Sequence, residues 1–143
     1  MKKTIIFIIC VVIIILSAFY MKYLDYREER NSVKKSNLEY EMYLNKEITG
    51  RELTSVVNKA VNNNEKNKVA KNENKIYEKN DETSISIDIL MSDNETTYKM
   101  ETIYNGGMVT FIQYYGDILF ECTKIEYNIK GKVCYMVFEQ KTN

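Results

Sequence analysis

The sequence predicts an α+β domain that follows an N-terminal membrane-spanning helix. Three observations support this prediction: an apolar run without charge from Thr4 to Met21, an apolar stripe at helical spacing from Leu53 to Val61, and an alternation of period two that begins at Ser84. A helix that covers one face of an antiparallel sheet satisfies this order of elements. We therefore expect an antiparallel sheet of four to five strands, packed by one amphipathic helix, with a short second helix between strand pairs.

Residues 4–21 are predicted to cross the membrane. At about 1.5 Å per helical residue the run is about 27 Å long, close to the ~30 Å thickness of the bilayer core. Lys2 and Lys3 precede it, and this short basic end favours a cytoplasmic N-terminus and an extracytoplasmic C-terminal region. A cleaved signal peptide begins in the same way. We favour retention, because the run exceeds a usual signal core and lacks a clean small-x-small pair.

Residues 22–48 are predicted to form a juxtamembrane helical stalk between an anchor, residues 1–21, and an extracytoplasmic domain, residues 49–143. The stalk sequence has no glycine before Gly50 and no proline. Val33, Asn37, Tyr40 and Leu44 follow a 4-3-4 spacing, which indicates one amphipathic stripe. Such a stripe suits a stalk that rests on the domain, which we favour, or a face that binds a partner.

The clearest predicted helix begins at Thr49. Thr49 and Glu52 have the spacing of a capping box, in which each side chain satisfies a free backbone N–H of the first helical turn. An apolar stripe predicted to contact the sheet follows: Leu53, Val56, Val57, Ala60 and Val61. Asn62–Asn64 is expected to end this helix. Residues 65–82 are predicted to be a solvated loop, with a short edge strand over residues 75–78.

Strand patterns dominate the rest of the chain. Ile85, Ile87 and Ile89 alternate with more polar residues and predict a half-buried strand, and residues 92–94 supply a turn into a second strand that reaches Tyr104. A helix is predicted over residues 108–115, with Gly116 as its C-cap. Two further strands, over residues 118–129 and 132–139, are expected to form a hairpin with a bulge near residues 123–124.

The composition excludes most catalytic chemistry. The chain contains no histidine, so it lacks the usual general base near neutral pH and the commonest zinc ligand. Twenty basic and twenty acidic residues balance, which predicts no basic surface and hence no nucleic-acid binding. The predicted hairpin places Cys122 opposite Glu139 and Cys134 opposite Tyr127, too far apart for a disulfide. No catalytic, cofactor-binding or metal-binding residue is predicted.

Three sets of residues are weak candidates for a site. Asn105-Gly106-Gly107 before a helix could bind an anion, although a turn is the preferred interpretation. Glu101, Glu121, Glu126 and Glu139 could include a close carboxylate pair, although strand charges of this kind usually face solvent. An exposed aromatic surface for a peptide or a glycan could come from six tyrosines, which we instead expect to be core residues. These are Tyr98, Tyr104, Tyr114, Tyr115, Tyr127 and Tyr135.

Three sequence blocks carry a family resemblance: residues 49–53, 58–65 and 122–127. They resemble blocks of small single-span membrane proteins from clostridia-like, low-GC Gram-positive bacteria, a group without a known activity. The resemblance extends over most of the domain. It implies an envelope location, and no site residue follows from it.

We expect a module that acts by protein–protein contact, with a protein partner in the cell envelope, as an accessory of an envelope or secretion assembly rather than as an enzyme. A pilin-like structural subunit is the first alternative, because type IV pilins also place an apolar helix before a sheet. The pilin processing junction and the acidic residue of the apolar segment are missing here. A carboxylate-dependent envelope enzyme is the second alternative.

Overall fold

The computed structural model describes residues 2–92 and 96–142, which contain four helices and five strands. Asp93 and Asn94, from the predicted turn, lie outside the described residues. Contacts divide the chain into a first unit that ends at Lys35 and a second that begins at Ser36. The elements are α1 (Lys2–Glu41), β1 (Glu47–Thr49), α2 (Gly50–Lys66), β2 (Ser86–Leu90), β3 (Thr97–Lys99), α3 (Met100–Gly106), α4 (Met108–Tyr115), β4 (Leu119–Tyr127) and β5 (Val133–Gln140).

Helix α1 contains the whole predicted span and is long and apolar enough to cross a membrane. A signal sequence near the N-terminus meets the same criterion. The helix ends at Glu41, and its last turns belong to the second unit, where Asn37 and Tyr40 are buried. Leu38 of α1 and Met42, directly after the end of the helix, are exposed.

The second unit is an α+β domain, as predicted, but its sheet is mixed. The strand order is β1-β4-β5-β2-β3, and β2 pairs with β5 in parallel while the other neighbours are antiparallel. The prediction of a purely antiparallel sheet was therefore wrong. Strand β3, helices α3 and α4 and strand β4 separate β2 from β5 along the chain, and such a long connection allows parallel pairing.

Helix α2 lies across one face of the sheet and supplies the predicted core stripe. Leu53, Val56, Val57, Ala60 and Val61 are fully buried, and so are Ile85, Ile87 and Ile89. The capping box is confirmed: the Glu52 N–H donates to Thr49 Oγ1 (3.3 Å), and the Thr49 N–H donates to Glu52 Oε2 (2.9 Å). The Thr49 N–H and the Thr49 hydroxyl, which also donates to Glu52 Oε2 (3.1 Å), lower the pKa of the Glu52 carboxyl.

Helix α2 runs to Lys66, beyond the predicted stop at Asn62–Asn64, because Asn64 is an interior residue. Its side chain is fully buried, and its Nδ2 donates to the Ile85 carbonyl (2.7 Å) while its Oδ1 accepts from the Ile85 N–H (2.8 Å). Asn37 forms a similar pair at the start of β5, at the same end of the sheet: its Nδ2 donates to the Gly131 carbonyl (2.8 Å) and its Oδ1 accepts from the Val133 N–H (2.9 Å). Each side-chain amide thus forms the donor and acceptor pair of hydrogen bonds that a neighbouring strand would otherwise form with this backbone.

The predicted loop over residues 65–82 is mostly exposed, as expected, but two buried side chains attach it to the domain. Val69 and Tyr77 are buried, and the buried Glu101 carboxylate accepts the Tyr77 N–H (3.1 Å). The predicted edge strand over residues 75–78 is reduced to a single bridge between Lys71 and Tyr77. Apolar anchors spaced this widely leave no periodic pattern in the sequence.

The predicted second strand is correct only in its first part. Strand β3 ends at Lys99, and Met100 begins α3 instead of continuing the alternation to Tyr104. Met100 and Ile103 are both buried at helical spacing, and α3 packs on α2. The sequence allows either a longer strand or a helix from Met100 onward. The helix forms because it buries both residues where α3 packs on α2.

Strands β4 and β5 form the predicted hairpin, and the bulge is confirmed between Cys122 and Lys124. Cys122 lies opposite Phe138, one position from the predicted partner. Cys122 and Cys134 are free thiols. Burial raises the pKa of Cys122 to about 11 and also raises the pKa of Cys134.

Candidate functional site

A cleft of about 220 Å³ opens where α3, α4 and β3 meet. Gly106 and Gly107, which join the two helices, line it together with tyrosines from β3 and α4. Two of the weak candidates from the sequence, the glycine pair and the tyrosine set, thus meet in one place. The lining tyrosines are Tyr98, Tyr114 and Tyr115.

An aromatic array extends from the core to the mouth of this cleft. Phe111 of α4 is buried, with its ring centroid 6.0 Å from that of Phe120 in β4 and 5.1 Å from that of Tyr115. The Tyr115 ring lies 6.5 Å from Tyr114, which is 69% exposed. Centroid distances of this size are typical of interacting rings, so the cleft wall is anchored to the core.

Gly107 sets the angle between α3 and α4. Its φ of +101° is a conformation that residues with a side chain rarely adopt. A Cβ here would meet Thr110 Oγ1 at 3.5 Å, an ordinary contact, so conformation rather than space requires glycine. Helix α4 has no side-chain N-cap. The described structure gives the Asn105-Gly106-Gly107 segment the role of a helix junction.

The cleft is uncharged. Among the described residues that line it, all are apolar side chains, tyrosines, threonines or glycines. The sequence carries the same signal, because no charged residue occurs from Thr102 to Gly116 in a chain that is 28% charged. This run, bounded by Glu101 and Asp117, was the sequence signal that could have identified the surface.

The expectation that the six candidate tyrosines are core residues holds only in part, because none of them is fully buried. Tyr98, Tyr104 and Tyr115 are half-buried, with their rings against the core. Tyr127 donates to Glu41 Oε1 (2.8 Å) far from the cleft. The interior tyrosines are Tyr40 and Tyr77.

Tyr135 lies on the other face of the sheet in a charged network. Its hydroxyl donates to Asp88 Oδ2 (3.0 Å), and Lys99 Nζ donates to both Asp88 oxygens (2.7 Å each). Burial and the bond to Asp88 raise the pKa of Tyr135 to about 12. The phenol therefore stays protonated at neutral pH, which does not suit a tyrosinate base or nucleophile.

The candidate carboxylates are engaged in local contacts. Glu121 and Glu139 are backbone register partners across β4 and β5. Glu121 forms an ion pair with Lys141, and Glu139 Oε1 accepts from Thr123 Oγ1 (2.9 Å). Glu126 forms an ion pair with Lys124 (2.6 Å). None of these glutamates lines the α3–α4 cleft in the described structure.

Comparison with family models, curated proteins and solved structures found no match to this chain. Among residues 2–92 and 96–142, no group of three or more histidine, cysteine, aspartate or glutamate side chains is placed to hold a metal ion.

Proposed function

We propose that this chain is a membrane-anchored extracytoplasmic module that binds another protein through the α3–α4 cleft, as an accessory of a bacterial envelope or secretion assembly. The uncharged aromatic cleft is the observation that carries the proposal. The centres of protein interfaces are depleted in charge and enriched in tyrosine and phenylalanine, and the cleft has this composition.

The apolar segment of helix α1 supports the proposed extracytoplasmic location. The apolar part of α1 is uncharged between Lys3 and Lys22, and a retained span with a basic N-terminal end holds the following domain outside the cytoplasm. The exposed side chain of Tyr114 at the cleft mouth then faces proteins of the envelope. Tyrosine is among the residue types that most often dominate interface energies.

Site-specific photocrosslinking in the native cells tests the proposal. A photoreactive phenylalanine replaces Tyr114 in the full-length chain, and the control replaces Ile129, which is 84% exposed on the β4–β5 turn. We expect a discrete crosslinked product of higher mass from position 114 and none from position 129. Equal products from both positions, or none from position 114, would contradict the proposal.

A pilin-like structural subunit is the second candidate. Helix α1 runs unbroken from the apolar segment to Glu41, and Asn37 and Tyr40 at its end are buried in the second unit. A subunit of this kind would give crosslinked products whose masses are successive multiples of the chain itself. A product with one other protein favours the accessory role.

A further inference from the structure

We propose that the segment bound by the α3–α4 cleft is uncharged and rich in proline, in the polyproline II conformation. This inference rests on the proposed function, because it names the chemistry of the partner at the same site.

The size of the cleft favours part of a polypeptide over an enclosed small molecule. Its volume of about 220 Å³ lies below the ~300–1,000 Å³ of typical small-molecule pockets. A cleft of this size accommodates a few side chains of a segment that crosses it and continues on both sides.

Because the cleft carries no charge, it disfavours charged segments. A charged side chain placed there would lose water without gaining a counter-charge, which is unfavourable. Glu101 and Asp117, which bound the uncharged run in sequence, are both acidic and add no attraction for an acidic partner. An uncharged segment has no such penalty.

Aromatic walls that carry hydroxyl groups suit a polyproline II backbone. This conformation forms no internal hydrogen bonds, so its carbonyls remain available as acceptors. Tyr98 and Tyr114 line the cleft, and a phenolic hydroxyl can donate to such carbonyls. Aromatic-lined grooves recognise proline-rich segments in this way. Because one strand residue, Tyr98, lines the cleft, the site offers little backbone for strand addition.

Binding of a labelled decaproline peptide to the full-length chain in detergent micelles tests the inference. Fluorescence anisotropy is measured with decaproline and with a glycine–serine peptide of equal length. We expect saturable binding of decaproline alone, weakened about tenfold or more by Tyr114→Ala. Tyr127→Ala is the matched control, since Tyr127 is 48% exposed on β4, and it leaves binding unchanged. Tyr98→Ala is expected to act like Tyr114→Ala.

The exposed position of Tyr114 keeps the test valid even if Tyr98→Ala fails to fold. Lack of saturable decaproline binding, or equal weakening by Tyr127→Ala, overturns the inference. If crosslinking at position 114 still captures one envelope protein, the contact site stands and the proline assignment is wrong. A crosslinked dimer of this chain, or binding of chitotetraose instead of decaproline, assigns the cleft to a second copy or to a glycan and likewise overturns it.

Discussion

At the scale of single residues, two buried asparagine side chains connect parts of the domain that are distant in sequence. Asn64 binds both backbone groups of Ile85, and Asn37 binds Gly131 and Val133. A primary amide has one donor and one acceptor side, so it reproduces the pairing of a neighbouring strand. The run Asn62-Asn63-Asn64 looks like a helix stop in the sequence, and neither its burial nor its partner, 21 residues away, is visible there.

Replacement of Asn64 with alanine is expected to lower the free energy of unfolding by about 2–4 kcal/mol, because the N–H and the carbonyl of Ile85 are then buried without partners. Urea unfolding of the full-length chain in detergent, followed by tyrosine fluorescence, measures this change. Asn62→Ala is the matched control, since Asn62 is exposed on the same helix, and its effect should stay within about 0.5 kcal/mol. Similar losses in both variants would contradict the role assigned to the amide.

At the scale of elements, close approach of backbones joins α2 to α4 and thereby supports the cleft. The Gly50 N–H donates to the Ile118 carbonyl (2.9 Å), and the Arg51 N–H donates to the Gly116 carbonyl (3.1 Å). A Cβ at Gly50 would lie 2.0 Å from the carbonyl oxygen of Tyr115, a residue of the cleft wall. The start of α2 therefore fixes the end of α4.

Gly50→Ala is expected to destabilise the domain by about 3 kcal/mol or more, because the methyl group meets backbone atoms that cannot rotate away. Thermal unfolding followed by near-UV circular dichroism measures the change. Gly106→Ala serves as the control, because a Cβ there meets nothing within 4 Å and should change stability by less than about 1 kcal/mol. An unchanged melting temperature in Gly50→Ala would show that α2 and α4 can separate at little cost.

Elements with a local signature were predictable from the sequence, and those that depend on a partner were not. The capping box of α2, the alternation of β2 and the bulge in β4 follow from neighbouring residues. Strand β1, only three residues long, was missed because it exists through its pairing with β4. The parallel pairing of β2 with β5 equally depends on the path of the chain between them.

The candidate site was predictable only in its parts. Tyr98, Tyr114 and Tyr115 were three of six candidate tyrosines, all expected to be core residues, and Asn105-Gly106-Gly107 was interpreted as a turn. Their convergence requires β3 to lie beside α4, which no local pattern states. The uncharged run from Thr102 to Gly116 was the available signal, and it lies on both helices of the cleft.

At the scale of the whole molecule, the topology of the chain decides which proteins can reach the cleft. We expect the domain outside the cytoplasm, because the basic pair Lys2–Lys3 favours a cytoplasmic N-terminus. Native thiols add little background to a labelling test of this prediction, and Cys10 lies within the predicted span, away from a membrane-impermeant reagent. Cys122 is buried with a pKa of about 11, and burial also raises the pKa of Cys134, so few thiolates are present near neutral pH.

Ile129→Cys in intact cells should react with a membrane-impermeant maleimide, because Ile129 is 84% exposed on the β4–β5 turn. Lys3→Cys, at the other end of the span, should react only after permeabilisation, and the unsubstituted chain gives the background. The reverse pattern would place the domain in the cytoplasm and remove envelope proteins as partners of the cleft. Labelled protein in the medium with an N-terminus near Phe19 would show that the span is a cleaved signal peptide, so that the module acts as a secreted factor.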